Sequence, residues 1–361
     1  MIKFIIERVS IMNDIGLLNL IQKLHLGELI DDECLATFLE QQECYFLLSK
    51  MPSQKNRIIS YLIVNQMRII SQYEECRSLF EELNNFPYAI IKGAVLSKQI
   101  YPSVAYRMSR DIDILISPRN LKEIGIILKQ HGFIQGQVID NTIKPYSREK
   151  NIFQKIYTHQ LASYVKKTDN IYSPFINVDV NCSIVWGEAS WCMNMDSFLE
   201  NTESFEVFGI KIRKLKTNFE FIALCMHHYK DLNSLYLLSE RGIKLSLFYD
   251  IKLYVTKKYI DVKELKFICD KLCISEYITF CLYHTNIIFP SDIIEHYLEF
   301  FCPNDYSYIL NRIGLDENEY KYMVGGVSSW VFDNEFKNKL NSILTEYDKK
   351  KIEINKKYRE A

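Results

Sequence analysis

Apolar residues recur at helical spacing in the first quarter of the chain. Ile21 and Leu24 fall on one helical face, and Ile58 and Leu62 continue the pattern further on. An apolar residue every three or four positions is typical of amphipathic helices that bury one face. The pattern therefore predicts several helices between residue 13 and about residue 84.

After residue 85, short apolar runs replace the helical spacing and predict strands. The predicted strands are Tyr88–Ile91, Asp111–Ile116, residues 155–166 and residues 175–186. In the second of these, apolar residues occupy one face and two carboxylates the other, as in a strand with one buried face. Short helices are predicted over residues 94–100 and from near Pro118 through Leu128, before His131 and Gly132.

Helical spacing returns from about Asn218, where Phe219, Ile222 and Met226 share one face. The order of elements predicts an α+β fold, with a small mixed β-sheet, flanking helices and extensive helical regions at both ends. The predicted domains are residues 1–85, helical; residues 86–215, an α/β core; and residues 216–361, helical.

Composition narrows the classes of function. Hydrophobic residues make up 48% of the chain, which is enough for a packed core. The net charge of −1 argues against strong nonspecific nucleic-acid binding, although a local basic groove would leave RNA open as a substrate. No stretch reaches about 18 apolar residues, and a signal-peptide pattern is missing. We expect a cytoplasmic protein without a membrane segment.

The ten cysteines are expected to be reduced thiols in that compartment. Cys269, Cys273, Cys281 and His284 have ligand-type side chains, which raises a structural zinc site as an alternative. Their neighbours are apolar, and zinc-ribbon spacing would be tighter. Buried, uncharged roles are therefore favoured for the cysteines.

The most informative pair of residues is Asp111 and Asp113. Two residues apart on a strand, their side chains leave the same face with Cα atoms about 6.5–7 Å apart. Two carboxylates at that spacing can converge on Mg²⁺, which prefers hard oxygen ligands. Asp179, inside the predicted strand 175–186, is a third carboxylate. Three carboxylates can hold two cations about 3.5–4 Å apart, the arrangement used for in-line phosphoryl transfer.

Other residues near the acidic pair strengthen this interpretation. Gly93 precedes Asp111 by a distance that fits a turn, a helix and a return to an adjacent strand. Its turn would present backbone N–H groups to phosphates. Arg107 and Arg110 lie just before the pair, where cations could meet a triphosphate. The alternative is that Asp111 and Asp113 form surface ion pairs at the start of a strand.

These residues also carry a family resemblance. The stretch Ile91-Lys92-Gly93-Ala94, the segment from Arg107 through Ile116, and Gly132-Phe133 resemble the bacterial uncharacterised nucleotidyltransferase family. That family belongs to the DNA-polymerase-β-like superfamily. The resemblance is continuous from about Tyr88 to Trp186 and fainter through residues 215–255.

The resemblance implies roles for particular residues. Asp111, Asp113 and Asp179 would bind Mg²⁺ or Mn²⁺, with two ions expected, and Asp179 would also take the proton of the acceptor hydroxyl. Lys92 and Gly93 would line the triphosphate site, and Arg107 matches the arginine that the family carries before its acidic pair. This chain departs from the superfamily pattern in having Ala94 after the glycine and Asn181 where many relatives carry histidine.

The expected reaction moves an NMP from an NTP to an acceptor hydroxyl and releases pyrophosphate. The acceptor stays open among a small molecule, a peptide, a protein side chain and an RNA end, and the base of the NTP stays open too. The alternative is a non-catalytic NTP-binding or partner-binding module on the same fold. His227 and His228 are expected to be structural, with access of one of them to the active site as the alternative; His159 is a weaker candidate for acceptor binding.

Overall fold

The computed structural model describes residues 14–157, 160–187, 189, 193–301, 306–323, 326–333 and 335–360. Two compact units divide the chain. The helical unit comprises the described residues up to Tyr61 together with His228–Asn355, and the sheet unit comprises Leu62–His227 with Lys356 and the described residues after it. The three domains predicted from the sequence stay a prediction.

The helices account for most of the described chain. In chain order they are α1 (Asp14–Leu26), α2 (Glu33–Gln41), α3 (Tyr45–Leu48), α4 (Lys55–Glu75), α5 (Arg77–Leu83), α6 (Gly93–Ile100), α7 (Leu121–Gln130), α8 (Arg148–Tyr157), α9 (Met195–Leu199), α10 (Thr217–Asn233), α11 (Leu235–Arg241), α12 (Leu245–Lys257), α13 (Val262–Lys271), α14 (Ser275–Ile288), α15 (Asp292–Phe301), α16 (Ser307–Leu310), α17 (Gly326–Trp330), α18 (Phe336–Ile343) and α19 (Glu346–Glu360). Within the described ranges, none of them is both long and apolar enough to cross a membrane.

The strands form one sheet and two hairpin-like ribbons. In chain order they are β1 (Tyr88–Ile91), β2 (Asp111–Ile116), β3 (Ile134–Ile139), β4 (Thr142–Pro145), β5 (Tyr164–Lys167), β6 (Phe175–Asn181), β7 (Thr202–Val207), β8 (Ile210–Leu215), β9 (Arg312–Ile313) and β10 (Lys321–Tyr322). The sheet has six strands in the order β1-β2-β6-β5-β3-β4, and β7–β8 and β9–β10 pair separately.

The sheet is mixed. Strands β2 and β6 run parallel, and the other neighbouring pairs in the sheet run antiparallel. Parallel neighbours need a long connection between them, and here that connection carries α7, the β3–β4 ribbon, α8 and β5. The α+β fold with a small mixed sheet is therefore confirmed.

One face of the sheet is apolar and covered. Ile112, Ile114 and Ile116 of β2 share a buried cluster with Val178 and Val180 of β6. Residues of α5 and α7 belong to the same cluster, among them Leu79, Phe80, Ile124 and Leu128. Since side chains alternate between faces along a strand, Asp111, Asp113 and Asp179 lie on the face opposite this cluster.

Two of the predicted strands differ from the structure. Residues 155–157 end helix α8, and the strand in this region is Tyr164–Lys167. The helix forms because Ser147 Oγ accepts a hydrogen bond from Lys150 N at 3.1 Å, as an N-cap does. Phe153 of α8 stacks on Tyr358, with ring centroids 4.6 Å apart. The other strand ends at Asn181 and not at residue 186.

In the helical unit, the cysteine cluster has no ligand geometry. Cys269 and Cys281 are buried, whereas Cys273 is exposed. His284 is fully buried, with Nδ1 3.0 Å from Ser328 Oγ and Nε2 3.0 Å from the Leu310 carbonyl. Both ring nitrogens are therefore occupied by neutral partners. The buried structural interpretation is supported for Cys269, Cys281 and His284, and the expectation of burial is wrong for Cys273.

Candidate active site

The register of two parallel strands brings the carboxylates together. Asp113 of β2 lies directly beside Asp179 of β6, and Asp111 lies beside Asn177. Neighbouring strands are about 4.7–4.9 Å apart, and laterally paired residues point to the same face. Asp111 and Asp113 share that face because they are two residues apart. A three-carboxylate cluster requires the strand of Asp179 to lie next to the strand of Asp111 and Asp113, and β6 does lie next to β2.

The turn after β1 places a helix start beside these carboxylates. Lys92 and Gly93 both have positive φ, at 57° and 48°. A Cβ on Gly93 would lie 3.0 Å from Ser109 Oγ, so the close approach of the turn to the loop before β2 requires glycine. Helix α6 begins at Gly93, and its first N–H groups have no partner within the helix. The arrangement suits an anion such as a phosphate.

Lys92 extends from this turn to the carboxylates. Its Nζ lies 3.1 Å from Asp113 Oδ1, and both side chains are largely buried. The same Nζ lies 3.4 Å from Nε2 and 3.5 Å from Nδ1 of His227, on helix α10. Lys92 therefore joins an acidic strand to a histidine that is distant in sequence.

Burial and crowded negative charge determine the electrostatics of the site. Burial, and after it repulsion from Asp113 and Asp179, raises the pKa of Asp111 to about 7 against the opposing effect of Lys92 and Arg107. Burial and then Asp113 also raise the pKa of Asp179. Like charges held together in a buried site disfavour ionisation, and a cation would relieve that cost.

Hydrogen bonds hold two of the carboxylates in place. Ser163 Oγ donates to Asp179 Oδ1 at 2.5 Å, and the side chain of Gln160 also bonds to Asp179. Asn181 Nδ2 donates to Asp113 Oδ1 at 3.3 Å. Asn181 of β6 thus contacts the carboxylate of Asp113 on β2.

The loop before β2 is held by helix α4. Asn65 Nδ2 donates to the Ala105 carbonyl at 2.7 Å, and Arg68 Nη2 donates to the Ser109 carbonyl at 2.8 Å. Asn65 and Arg68 are three residues apart and therefore share one helical face. These bonds fix the backbone of the segment that carries Arg107.

The predicted phosphate-binding residues differ in their placement. Lys92 and Arg107 act on Asp111, since both oppose the rise in its pKa. Arg110 is exposed, and its carbonyl accepts a bond of 3.5 Å from Gln72 Nε2. The role of Arg110 in nucleotide binding stays a prediction.

The two adjacent histidines face different surroundings. His227 contacts Lys92 and so reaches the candidate site, which was the less favoured of the two alternatives. His228 is fully buried, with Nε2 3.5 Å from Asp250 Oδ2 in the helical unit. Consecutive helical residues point about 100° apart, so one of them must leave the face that the other occupies. His159 lies outside the described residues.

The donor set suits a divalent cation, although the side chains do not surround one. Within the described ranges, no group of three His, Cys, Asp and Glu side chains is arranged to hold a metal ion. The Lys92 ammonium lies 3.1 Å from Asp113 Oδ1. Hard carboxylate oxygens are the ligands that Mg²⁺ prefers, and burial together with repulsion from Asp113 and Asp179 raises the pKa of Asp111. By its chemistry the site fits Mg²⁺ or Mn²⁺.

Several residues at the site were given no role from the sequence. Asn181 was noted as a departure from the superfamily pattern, and its place two residues after Asp179 puts it on the same strand face. Asn65 and Arg68 had little signal, because helix α4 carries many other polar residues from which they do not stand out. Ser163 had none, because its contact depends on how β5 pairs with β6.

A small mixed sheet with carboxylates on two neighbouring strands, beside a glycine turn that begins a helix, is an arrangement that suits phosphoryl or nucleotidyl transfer. The chain belongs to the uncharacterised nucleotidyltransferase family, whose profile matches residues 34–290. The resemblance seen in the sequence is thereby confirmed. The match also covers helices that precede and follow the strands of the sheet along the chain. No curated protein is similar enough to the chain to count as a match. Family membership supports nucleotidyl transfer as the broad class of activity and an NTP as substrate.

Proposed function

We propose that this protein is a metal-dependent nucleotidyltransferase that moves an NMP from an NTP to an acceptor hydroxyl. The observation that carries the proposal is the register of β2 and β6, which sets Asp113 beside Asp179 with Asp111 on the same face. Family membership gives independent support for the broad class of reaction.

The chain offers a distinct set of groups to the triphosphate. The free N–H groups at the start of α6, which begins at Gly93, would bind phosphate oxygens. Lys92 and Arg107 would add positive charge, and Arg110 would do so from its exposed position at the start of β2. Together these groups would hold the β- and γ-phosphates as the leaving pyrophosphate.

Asp179 would receive the proton of the acceptor hydroxyl. The acceptor oxygen forms a bond to the α-phosphorus, and the bond from that phosphorus to the bridging oxygen of the β-phosphate breaks. Pyrophosphate leaves with that electron pair, and the acceptor proton passes to Asp179. Two divalent cations bound by Asp111, Asp113 and Asp179 would neutralise the charge that develops on the α-phosphate.

The positions of Asp179 and its neighbours suit that role. Ser163 and Gln160 hydrogen-bond to the Asp179 side chain and so fix its orientation. A base whose pKa is raised by burial is a better proton acceptor than a carboxylate in water. The acceptor itself stays open among a small molecule, a peptide, a protein side chain and an RNA end.

The first test uses transfer of label from each α-³²P NTP with Mg²⁺ or Mn²⁺, alone and with fractions of a cell extract. We expect label in one class of acceptor with wild type and none with Asp111→Asn. The matched control is Asp140→Asn, the same change at an exposed residue of the β3–β4 turn, which should keep wild-type transfer. Equal transfer by wild type and a folded Asp111→Asn protein would rule out the mechanism.

A non-catalytic NTP-binding module is the second candidate. The observation that favours it is the Lys92–Asp113 contact, because a lysine can replace a metal ion as the counter-charge of a carboxylate. The measurement that separates the two is thermal stability with each NTP, with and without Mg²⁺. A catalytic site requires that the metal increase the stabilisation by NTP, whereas a module whose charge is balanced by Lys92 would be stabilised equally in both conditions.

A further inference from the structure

We propose that the Lys92 ammonium is a resident counter-ion of the carboxylates, which an incoming divalent cation displaces, and that His227 is the positioning residue that receives it. This inference rests on the proposed function, since it assumes that a metal binds Asp113. It adds an order of events to the site, because the group that leaves Asp113 is the same group that would bind the triphosphate.

The geometry of Lys92 carries the proposal. Its Nζ lies 3.1 Å from Asp113 Oδ1 and 3.4 and 3.5 Å from the two ring nitrogens of His227, so a single ammonium contacts both a carboxylate and an imidazole. An ammonium has three donors, and a neutral imidazole has one acceptor nitrogen. A small rotation about the end of the side chain would exchange one partner for the other.

The charges at the site make displacement necessary. Metal ligands must be available as carboxylates, and a divalent ion at Asp113 would repel an ammonium at contact distance. The lysine side chain can move away from a bound cation because it is flexible and rotates about four bonds. His227 gives the displaced ammonium a hydrogen-bond acceptor that carries no metal.

The backbone at Lys92 fixes where the side chain starts. Lys92 has a φ of 57° and a ψ of −144°, a combination that is unfavourable for a residue with a Cβ. Such strain persists where the surroundings enforce it, and it clusters at functional sites. The turn therefore directs Lys92 from the helix start, where phosphates would bind, towards the carboxylates.

Removal of Lys92 should have opposite effects on the binding of Mn²⁺ and of an NTP. This distinguishes a counter-ion from a structural ion pair. Without Lys92, the carboxylates lose a competing cation, and Mn²⁺ should bind more tightly. The triphosphate loses a positive partner, and an NTP should bind more weakly. A structural ion pair would instead weaken both when it is broken, because the site itself would loosen.

The experiment measures Mn²⁺ binding without nucleotide, and binding of an ATP analogue with a methylene between its α- and β-phosphates, for the folded full-length protein. For Lys92→Met we expect Mn²⁺ to bind about tenfold more tightly and the analogue about tenfold more weakly. The matched control is Lys98→Met on helix α6, which follows Lys92; its Nζ donates to the Glu206 carbonyl at 2.7 Å. It should leave both constants at their wild-type values.

A double-mutant cycle tests His227. In the wild-type background, His227→Phe should weaken Mn²⁺ binding roughly threefold, and His227→Gln, which keeps an acceptor, should weaken it less. In the Lys92→Met background, His227→Phe should have no effect, since no ammonium remains to be received. An equal effect of His227→Phe in both backgrounds would overturn the positioning role.

Other outcomes separate this inference from the proposed function. Weaker Mn²⁺ binding by Lys92→Met would refute the counter-ion role, provided that Asp113→Asn still abolishes Mn²⁺ binding and so upholds the metal site. If the wild-type protein binds no Mn²⁺, either with or without the analogue, the metal-dependent function and this inference are both refuted.

Discussion

Buried ionisable groups are arranged in opposite ways in the two units. In the sheet unit, Asp111, Asp113 and Asp179 share one strand face, and burial together with mutual repulsion raises the pKa of Asp111 to about 7. In the helical unit, His284 is buried with a neutral hydrogen-bond partner at each nitrogen. Asp348 accepts bonds from Thr345 and Lys321, which hold its pKa below the usual range.

The difference separates a reactive site from a structural one. A buried charged group without a balancing partner lowers the free energy of unfolding. Natural proteins keep such groups mainly where function needs them. Ionisable groups that are paired and hydrogen-bonded stabilise the fold in the protonation state that they have in it. Substitutions at the crowded carboxylates should therefore affect activity far more than stability, and substitutions around His284 should do the reverse.

The largest effect is expected from Asp113→Asn. The rate of nucleotidyl transfer should fall on the order of 10³-fold. A ligand of the metal ions is lost, and those ions would stabilise the charge of the transition state by several kcal/mol. The free energy of unfolding should stay within about 1 kcal/mol of wild type, because one repulsive charge is removed at the same time. The measurements are the rate of label transfer and unfolding in urea.

The same change in the helical unit is the comparison for that result. Asp348→Asn should leave transfer unchanged and lower the free energy of unfolding by about 1–3 kcal/mol, because Lys321 and Thr345 lose a charged acceptor. A loss of stability by Asp113→Asn as large as that of Asp348→Asn would mean that Asp113 is structural.

The next largest effect is on stability alone, at Gly326 in the helical unit. Gly326 has a φ of 66°, and a Cβ there would overlap His284 Cε1 and lie 2.6 Å from the Leu310 carbonyl. Gly326→Ala should therefore lower the free energy of unfolding by about 3 kcal/mol or more, the sum of backbone strain and a core clash. The measurement is the urea midpoint.

A second glycine separates strain from the clash. Gly209, between β7 and β8, has a φ of 73° with nothing within 4 Å of the position of a Cβ. Gly209→Ala should cost only about 1 kcal/mol, which is strain without collision. If both variants lost equal stability, the packing of Gly326 against His284 would contribute nothing.

Much of the fold could be predicted from hydrophobic spacing. Strands β1 and β2 and helix α6 lie where the pattern places them, because each is bounded by a glycine, a proline or a change of period. The two tight hairpins were missed. Asp140 and Asn141 have φ of 48° and 57°, and Phe208 and Gly209 have 51° and 73°. Such turns favour Gly, Asn and Asp, but those residues are common in loops of every kind. The strands on either side are partly exposed, so their alternation of apolar and polar residues is weak.

Less of the site could be predicted, for a physical reason. Asp111 and Asp113 are close in sequence, so their shared face follows from the period of a strand. The proximity of Asp113 to Asp179 depends on parallel pairing across a long connection, which the sequence could suggest as a condition for the three-carboxylate cluster but could not establish. The contact of Lys92 with His227 joins residues from a turn and a distant helix, and no local pattern records it.

A pH dependence from His284 is the effect that best tests whether the buried groups of the helical unit are fully hydrogen-bonded in their uncharged state. Burial lowers the pKa of His284 to about 3, from the ordinary 6.5 that applies in the unfolded chain. The unfolded state therefore binds a proton more readily, and stability is fully present above pH 6.5 and falls as the pH drops towards 3. At pH 5 the loss due to this group should be about 2 kcal/mol.

His284→Gln keeps a donor and an acceptor but does not titrate. At pH 7.5 the variant should be less stable than wild type by about 1–2 kcal/mol, because its amide cannot match both ring contacts. At pH 5 that difference should shrink or change sign, since only wild type loses stability from this position. The exposed His296→Gln is the control and should keep the wild-type pH dependence. A difference between wild type and His284→Gln that stays constant from pH 7.5 to pH 5 would mean that His284 can be protonated inside the fold, and the contrast with the carboxylates of the sheet unit would lose its basis.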